Sequence, residues 1–295
     1  MTTTLSRGGQ IAAFLLLLLL AACAAPPKRA LDPAARSVPE RDAIVVVPQG
    51  EIRVFVPPSN AGAASGGGLI GALIDVGINQ IRTNSAEEAV RPVRDGLAGY
   101  DFDRKALEGV RAAAPQIDWL HIQNFVFTKD ASNDQILARF DQSNADQLLV
   151  ASYEYTFSID FKQLSILLRA GLYPKVPPQG VQPDHRLARG NELYEQQFVF
   201  LANTPPKGDK DQNIAYWTAN NAQATRVALD SGIAKVDELL VRSLSQSPDA
   251  AVLLDGGADT KVLDRHGALV ERGPNGTLIY QKDSGTWVFG HEGDP

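Results

Sequence analysis

The stretch that most constrains the fold is Gln147 to Leu172. Gln147 to Phe157 is the clearest strand, apolar over Leu148 to Ala151 and alternating from Ser152 onward; Ser158 to Phe161 can turn the chain, and Lys162 to Leu172 pairs with it as a second arm. In the second arm Leu164, Ile166, Leu168, Ala170 and Leu172 fall on one face. Side chains of period two on both arms predict an antiparallel hairpin with one buried face. A hairpin alone is marginal in water, so the rest of the chain has to cover that face. A single cysteine, Cys23, allows no intramolecular disulfide, which leaves a packed core to hold the fold.

Upstream, the β-branched runs Ala43 to Val47 and Glu51 to Val56 read as short strands around Pro48-Gln49-Gly50. Leu69 to Arg82 reads as a helix with Ile70, Leu73, Ile74, Gly77 and Ile81 on one stripe. Ser85-Ala86-Glu87-Glu88 has the form of a capping box, so a second helix is expected from there to about Ala98, weakened by Pro92. Asp101 or Asp103 can cap a helix over Arg104 to Ala113, and Pro115 ends it. Ile117 to Thr128 alternates around Trp119, His121 and Phe125 and is expected to be a strand. Ser132 can cap a short helix carrying Ile136, Leu137 and Phe140.

After the hairpin, Pro174 to Gly190 is irregular and Asn191 to Ala202 returns as a strand. Asn213 to Ser245 is the longest helical pattern, with Leu229, Ile233, Val236, Leu240 and Leu244 in a stripe and a bend expected at Gly232. Short strands at Lys261 to Asp264, Ala268 to Arg272, Thr277 to Lys282 and Thr286 to Phe289 suggest a β-meander. The expected fold class is α/β (α+β): a mixed, largely antiparallel sheet with packed helices over residues 43–247, and a C-terminal meander over 248–295.

The N-terminus carries a different signal. One cation, Arg7, precedes the apolar run Ile11 to Leu20, which fits a signal-peptide core of roughly 7–15 residues and falls short of the ~18 needed to span a bilayer. Small residues and Cys23 follow. Leu20, Ala21, Ala22 and Cys23 resemble the lipobox of bacterial lipoproteins. The resemblance implies removal of residues 1–22, recognition of Leu20, Ala21 and Ala22 by the signal peptidase, and acylation of Cys23. More than one acyl chain is needed for stable anchoring. In that family an Asp after the cysteine commonly signals inner-membrane retention. Ala24 stands in its place, so the expected location is the outer membrane, facing the periplasm. The alternative is an ordinary secretory signal that leaves Cys23 a free thiol.

Residues 23–42 read as a tether rich in Pro, Ala and charge, spanning about 25 Å as a coil and about 55 Å in polyproline geometry. Loss of residues 1–22 removes Arg7 and takes the formal net charge from −6 to −7. An acidic chain is poorly suited to nucleic acid. The expected partners are the membrane through acylated Cys23, the lipoprotein processing and sorting machinery, and a further envelope protein.

No pattern discloses a chemistry. Gly66 to Gly71 matches G-x-G-x-x-G, with Glu87 and Glu88 where a ribose-binding acid would be sought, but it follows Pro57-Pro58 and a loose loop rather than a strand. A membrane-inserting segment over Ala61 to Ile81 is the other functional reading, at a cost of roughly 1 kcal/mol for each helical glycine. No cofactor or metal is expected. His121, His185, His266 and His291 are scattered, without ligand spacing. Asp101 and Asp103 could pair as carboxylates or cap a helix. Tyr153, Tyr155 and Trp217 could line a groove or fill the core. The order of elements looks somewhat like the domain of the curli secretion lipoprotein and its TolB N-terminal-like relatives, which implies an envelope assembly or regulatory module. Two alternatives stay open: a periplasmic hydrolase acting on cell-wall or lipid material, with His121 beside an acid and a hydroxyl nucleophile, or a carrier of an apolar ligand.

Overall fold

The computed structural model describes residues 31, 33–57, 68–177, 179–185, 187, 191–205, 208–245, 268–272, 277–281 and 286–291. The signal segment, Cys23, residues 58–67 and the strand expected over Lys261 to Asp264 lie outside them. The described elements are α1 (Pro33–Arg36), β1 (Arg41–Val46), β2 (Arg53–Val54), α2 (Gly68–Gly96), α3 (Phe102–Ala113), β3 (Ile122–Thr128), α4 (Asn133–Gln142), β4 (Gln147–Phe157), β5 (Gln163–Pro174), β6 (Tyr194–Asn203), α5 (Lys210–Ser245), β7 (Ala268–Arg272), β8 (Thr277–Gln281) and β9 (Trp287–His291). The class is the expected one, mixed α/β with a largely antiparallel sheet.

One nine-stranded sheet runs β3-β1-β4-β5-β6-β9-β8-β7, with β2 on β4. The β4–β5 hairpin is its spine, pairing Gln147 with Pro174 through Phe157 with Leu164. Its inner face, including Leu149, Tyr153, Phe157, Leu164, Ile166 and Leu168, is fully buried in the main core beneath α2, α3 and α5. On the opposite face Ile136, Leu137 and Phe140 of α4 pack on Ile44, Val46 and Leu148. At roughly 25 cal/mol per Å² of apolar surface removed from water, this two-sided burial is the dominant favourable contribution. The C-terminal strands extend the same sheet: β9 lies parallel to β6 over Phe198–Phe200, and Trp287 and Phe289 enter the main core.

Several local expectations are corrected. β1 and β2 do not pair with each other; both run parallel to β4 along the same side of it, interrupted at residues 47–52. In the gap the buried Gln49 amide takes the place of a peptide group: its Nε2 donates to the Tyr155 carbonyl at 2.8 Å, and its Oε1 accepts from the Tyr155 N–H at 3.1 Å. The two helices expected around Ser85 are one helix, α2, which runs through Ser85 and Pro92. A continuous buried stripe, Ala86, Val90 and Val93, holds it, so burial overrides the local capping signal. The strand expected from Ile117 begins only at Ile122, because Ala114–Gln116 is a 3₁₀ turn and Leu120 N–H closes a further turn on the Ile117 carbonyl.

The break in α5 falls at Ala219–Ala222 rather than at Gly232. Asn220, Asn221 and Ala222 have φ of 52°, 57° and 56°. Asn adopts this region at modest cost and Ala less readily. Arg226 donates to the carbonyls of Gly96 and Ala98 at the end of α2 and to that of Asn221, so it ties the break to the neighbouring helix. Gly232 has another reason: a Cβ there would collide with Ile166 and Phe200, so glycine lets α5 sit directly on the sheet.

The tether is also shorter than expected. Leu31 and Ala35 are buried in the main core, and Arg41 is wholly buried at the start of β1.

Candidate functional site: a groove between two helices

α3 and α5 lie side by side and run in the same direction. Lys105 pairs with Asp230 at one end, Gly109 faces Asp237 in the middle, and Trp119 beyond α3 donates from its indole N–H to the Leu244 carbonyl at 2.9 Å. α3 begins at Asp101, whose Oδ1 accepts from the Arg104 N–H at 2.9 Å. Phe102, Ala106, Val110 and Ala113 face the core, which leaves small residues toward α5. Between the helices lies a groove of about 730 Å³. Its walls are short and apolar (Gly109, Ala112, Ala234), and its rim carries Lys105, Glu108 and Arg242.

Asp237 lies in the floor of this groove, 6% exposed. Its Oδ1 accepts a hydrogen bond from the hydroxyl of Tyr153, a fully buried residue of β4. Burial pushes the Asp237 carboxyl up to about 7, while the Tyr153 hydrogen bond pulls in the opposite direction. Burial and the neighbouring carboxyl raise the Tyr153 phenol well above its ordinary value. A carboxyl poised near neutrality in a groove marks a candidate functional site. Asp237 went unsingled in the sequence. Its signal was there, an acid four residues after Ile233 and three before Leu240 within the buried stripe.

Two further cavities flank this groove. One, of about 700 Å³, lies beside the break in α5, where Trp217, Val227 and Phe289 face Leu201 to Asn203 of β6. The other, of about 220 Å³, lies where β2, the end of α2 and the start of α3 meet, among Arg94, Tyr100, Phe102 and Tyr155. Tyr153, Tyr155 and Trp217 are all core residues. Trp217 and Tyr155 also line cavities, whereas Tyr153 lines none of the three and meets the groove only through its hydrogen bond to Asp237.

The remaining sequence candidates are not assembled. His121 is exposed just before β3 and lines none of the three cavities. His266 and the side chains of His185 and His291 lie outside the described residues. Asp103 does not cap α3; it pairs with Lys129 at 2.6 Å. Gly68 and Gly71 stand in the first turn of α2, well after the end of β2. Among the described residues no group of three or more His, Cys, Asp or Glu could hold a metal ion. Leu20, Ala21, Ala22 and Cys23 lie outside the described residues. No family model matches the chain, and no curated protein or solved structure is significantly similar to it.

Proposed function

We propose that this chain is a lipid-anchored cell-envelope protein, held at the outer membrane through acylated Cys23, that acts as a binding and assembly module for another envelope component. The observation that carries the binding role is the α3–α5 groove: open to solvent, short-walled, and floored by a carboxyl of which, among the described residues, one oxygen is hydrogen-bonded. A groove on the outside of a helical layer suits a segment of a partner laid across it. A carrier would be better served by a dry cavity between sheet and helices, and a hydrolase by His121 in a pocket. The anchor rests on the Leu20-Ala21-Ala22-Cys23 pattern. Only residues 24–30 separate Cys23 from buried Leu31, so the chain cannot hold Leu31 more than about 28 Å from an acylated Cys23.

The test has two arms. Cys23→Ser is expected to release the protein from the membrane fraction, and its persistence there would overturn the anchor. Crosslinked pull-down of the acylated, C-terminally tagged protein is expected to recover one envelope complex in stoichiometric amount, and Ala234→Arg, which fills the groove from an exposed position, is expected to abolish it. Equal recovery by the Ala234→Arg variant would overturn the groove as the docking surface.

A further inference from the structure

The groove offers one acceptor that the protein itself does not use. Asp237 Oδ1 is taken by Tyr153, but Oδ2 accepts no hydrogen bond among the described residues. It faces Gly109 of α3, and a Cβ at that position would collide with Oδ2. Glycine is what leaves the oxygen uncovered from the α3 side.

The charges around it are already engaged elsewhere. From α3, Lys105 pairs with Asp230 at 2.9 Å and Glu108 with Arg104 at 2.8 Å. From α5, Glu238 pairs with Lys235 and Arg242 with Glu271 of β7, both at 2.5 Å. From β4, Tyr153 brings a neutral phenol. A buried carboxylate without a cation is costly, and it either takes a proton or finds a partner.

We propose that Asp237 is the recognition point of the α3–α5 groove for a cation, the lysine side chain of a partner envelope protein, and that Asp237 releases its proton to solvent as the ammonium arrives. This deepens, and rests on, the reading of the groove as the docking surface. The step balances: a neutral carboxyl and an ammonium become a carboxylate–ammonium pair, with one proton passing to water. Lysine fits the walls because its four-carbon stem can lie along Ala112 and Ala234 while the ammonium reaches Oδ2. With the free carboxyl titrating near 7, the binding-competent carboxylate grows about tenfold from about pH 6 to about pH 8, and apparent affinity grows with it.

The experiment uses the acylated protein in detergent, labelled with ¹³C in the aspartate carboxyls, with n-butylammonium chloride as the probe. The Asp237 resonance is identified by its loss in Asp237→Asn or, should that variant not fold, in Asp237→Glu. The expected result is a fall in the Asp237 titration midpoint with millimolar n-butylammonium, absent with n-butanol or matched sodium chloride, and tenfold tighter probe binding at pH 8 than at pH 6. A midpoint that n-butylammonium does not move, or moves no more than sodium chloride does, would overturn the inference. Because the probe needs no partner, a silent carboxyl strikes the cation site alone, whereas a pull-down insensitive to Ala234→Arg strikes the docking surface.

Discussion

Arg41 at the start of β1 and Asp237 in the middle of α5 are both ionisable side chains taken out of water, and their surroundings treat them in opposite ways. Every polar arm of Arg41 is occupied: Nε donates to Gln147 Oε1 at 2.8 Å, and the two terminal nitrogens donate to the Trp119 and Ala35 carbonyls at 2.9 and 2.7 Å. Its guanidinium also lies 4.9 Å from the centre of the Trp119 ring. No carboxylate among the described residues pairs with it; neutral oxygens and a π face share the charge. Asp237 has one phenol on one oxygen, and its other oxygen opens toward a groove. A charge satisfied on every side fixes structure, here tying α1, β1, β4 and the turn before β3 together. A half-satisfied one stays available to a proton or a ligand. Their places agree with this: Arg41 stands near the proposed membrane attachment, Asp237 in the proposed docking groove.

The largest effect should come from breaking the sealed centre. Arg41→Met is expected to destabilise the fold by about 3–5 kcal/mol, because it takes the donor from three oxygens, two of them buried and one partly buried. Urea unfolding would measure it. A loss below about 1 kcal/mol would mean that the Arg41 network is ornamental and the contrast false.

A smaller, pH-dependent effect should come from the open centre. The carboxyl titrates near 7 in the fold and near 4 in the unfolded chain, so between those values the native state binds more protons. The stabilisation tied to the neutral carboxyl is full below about pH 4, falls as pH rises through the window, and is gone above about pH 7. Relative to Asp237→Asn, the parent protein should lose up to about 4 kcal/mol across that window. Unfolding of both at a series of pH values checks this, and parallel curves would refute it.

How much of this was legible in the sequence depended on whether the signal was local. The β4–β5 hairpin was, because Leu164, Ile166, Leu168, Ala170 and Leu172 recur at every second position and both arms face one core. α4 was, from Ile136, Leu137 and Phe140 on one face. Ser85 misled, since a capping box is a local preference and the stripe Ala86–Val90–Val93 is buried by tertiary contacts. The parallel arrangement of β1 and β2 was hidden because it depends on Gln49 reaching a residue 106 positions away. Arg41 looked like the end of a polar tether for the same reason: its partners Trp119 and Gln147 come from distant parts of the chain. The groove was the least legible of all. The acid within the α5 stripe, between Ile233 and Leu240, was visible, but no spacing within α5 announces that Gly109 of α3 meets it.

The most direct test is the titration of the Asp237 carboxyl itself by ¹³C NMR, in the parent protein and in Tyr153→Phe. An open, half-satisfied carboxyl should titrate near 7, and higher still in Tyr153→Phe, where the hydrogen bond that favours its ionised form is gone. A midpoint near 4 in both proteins, the ordinary value for an aspartate in water, would contradict the contrast with Arg41 and remove Asp237 as the focus of the groove.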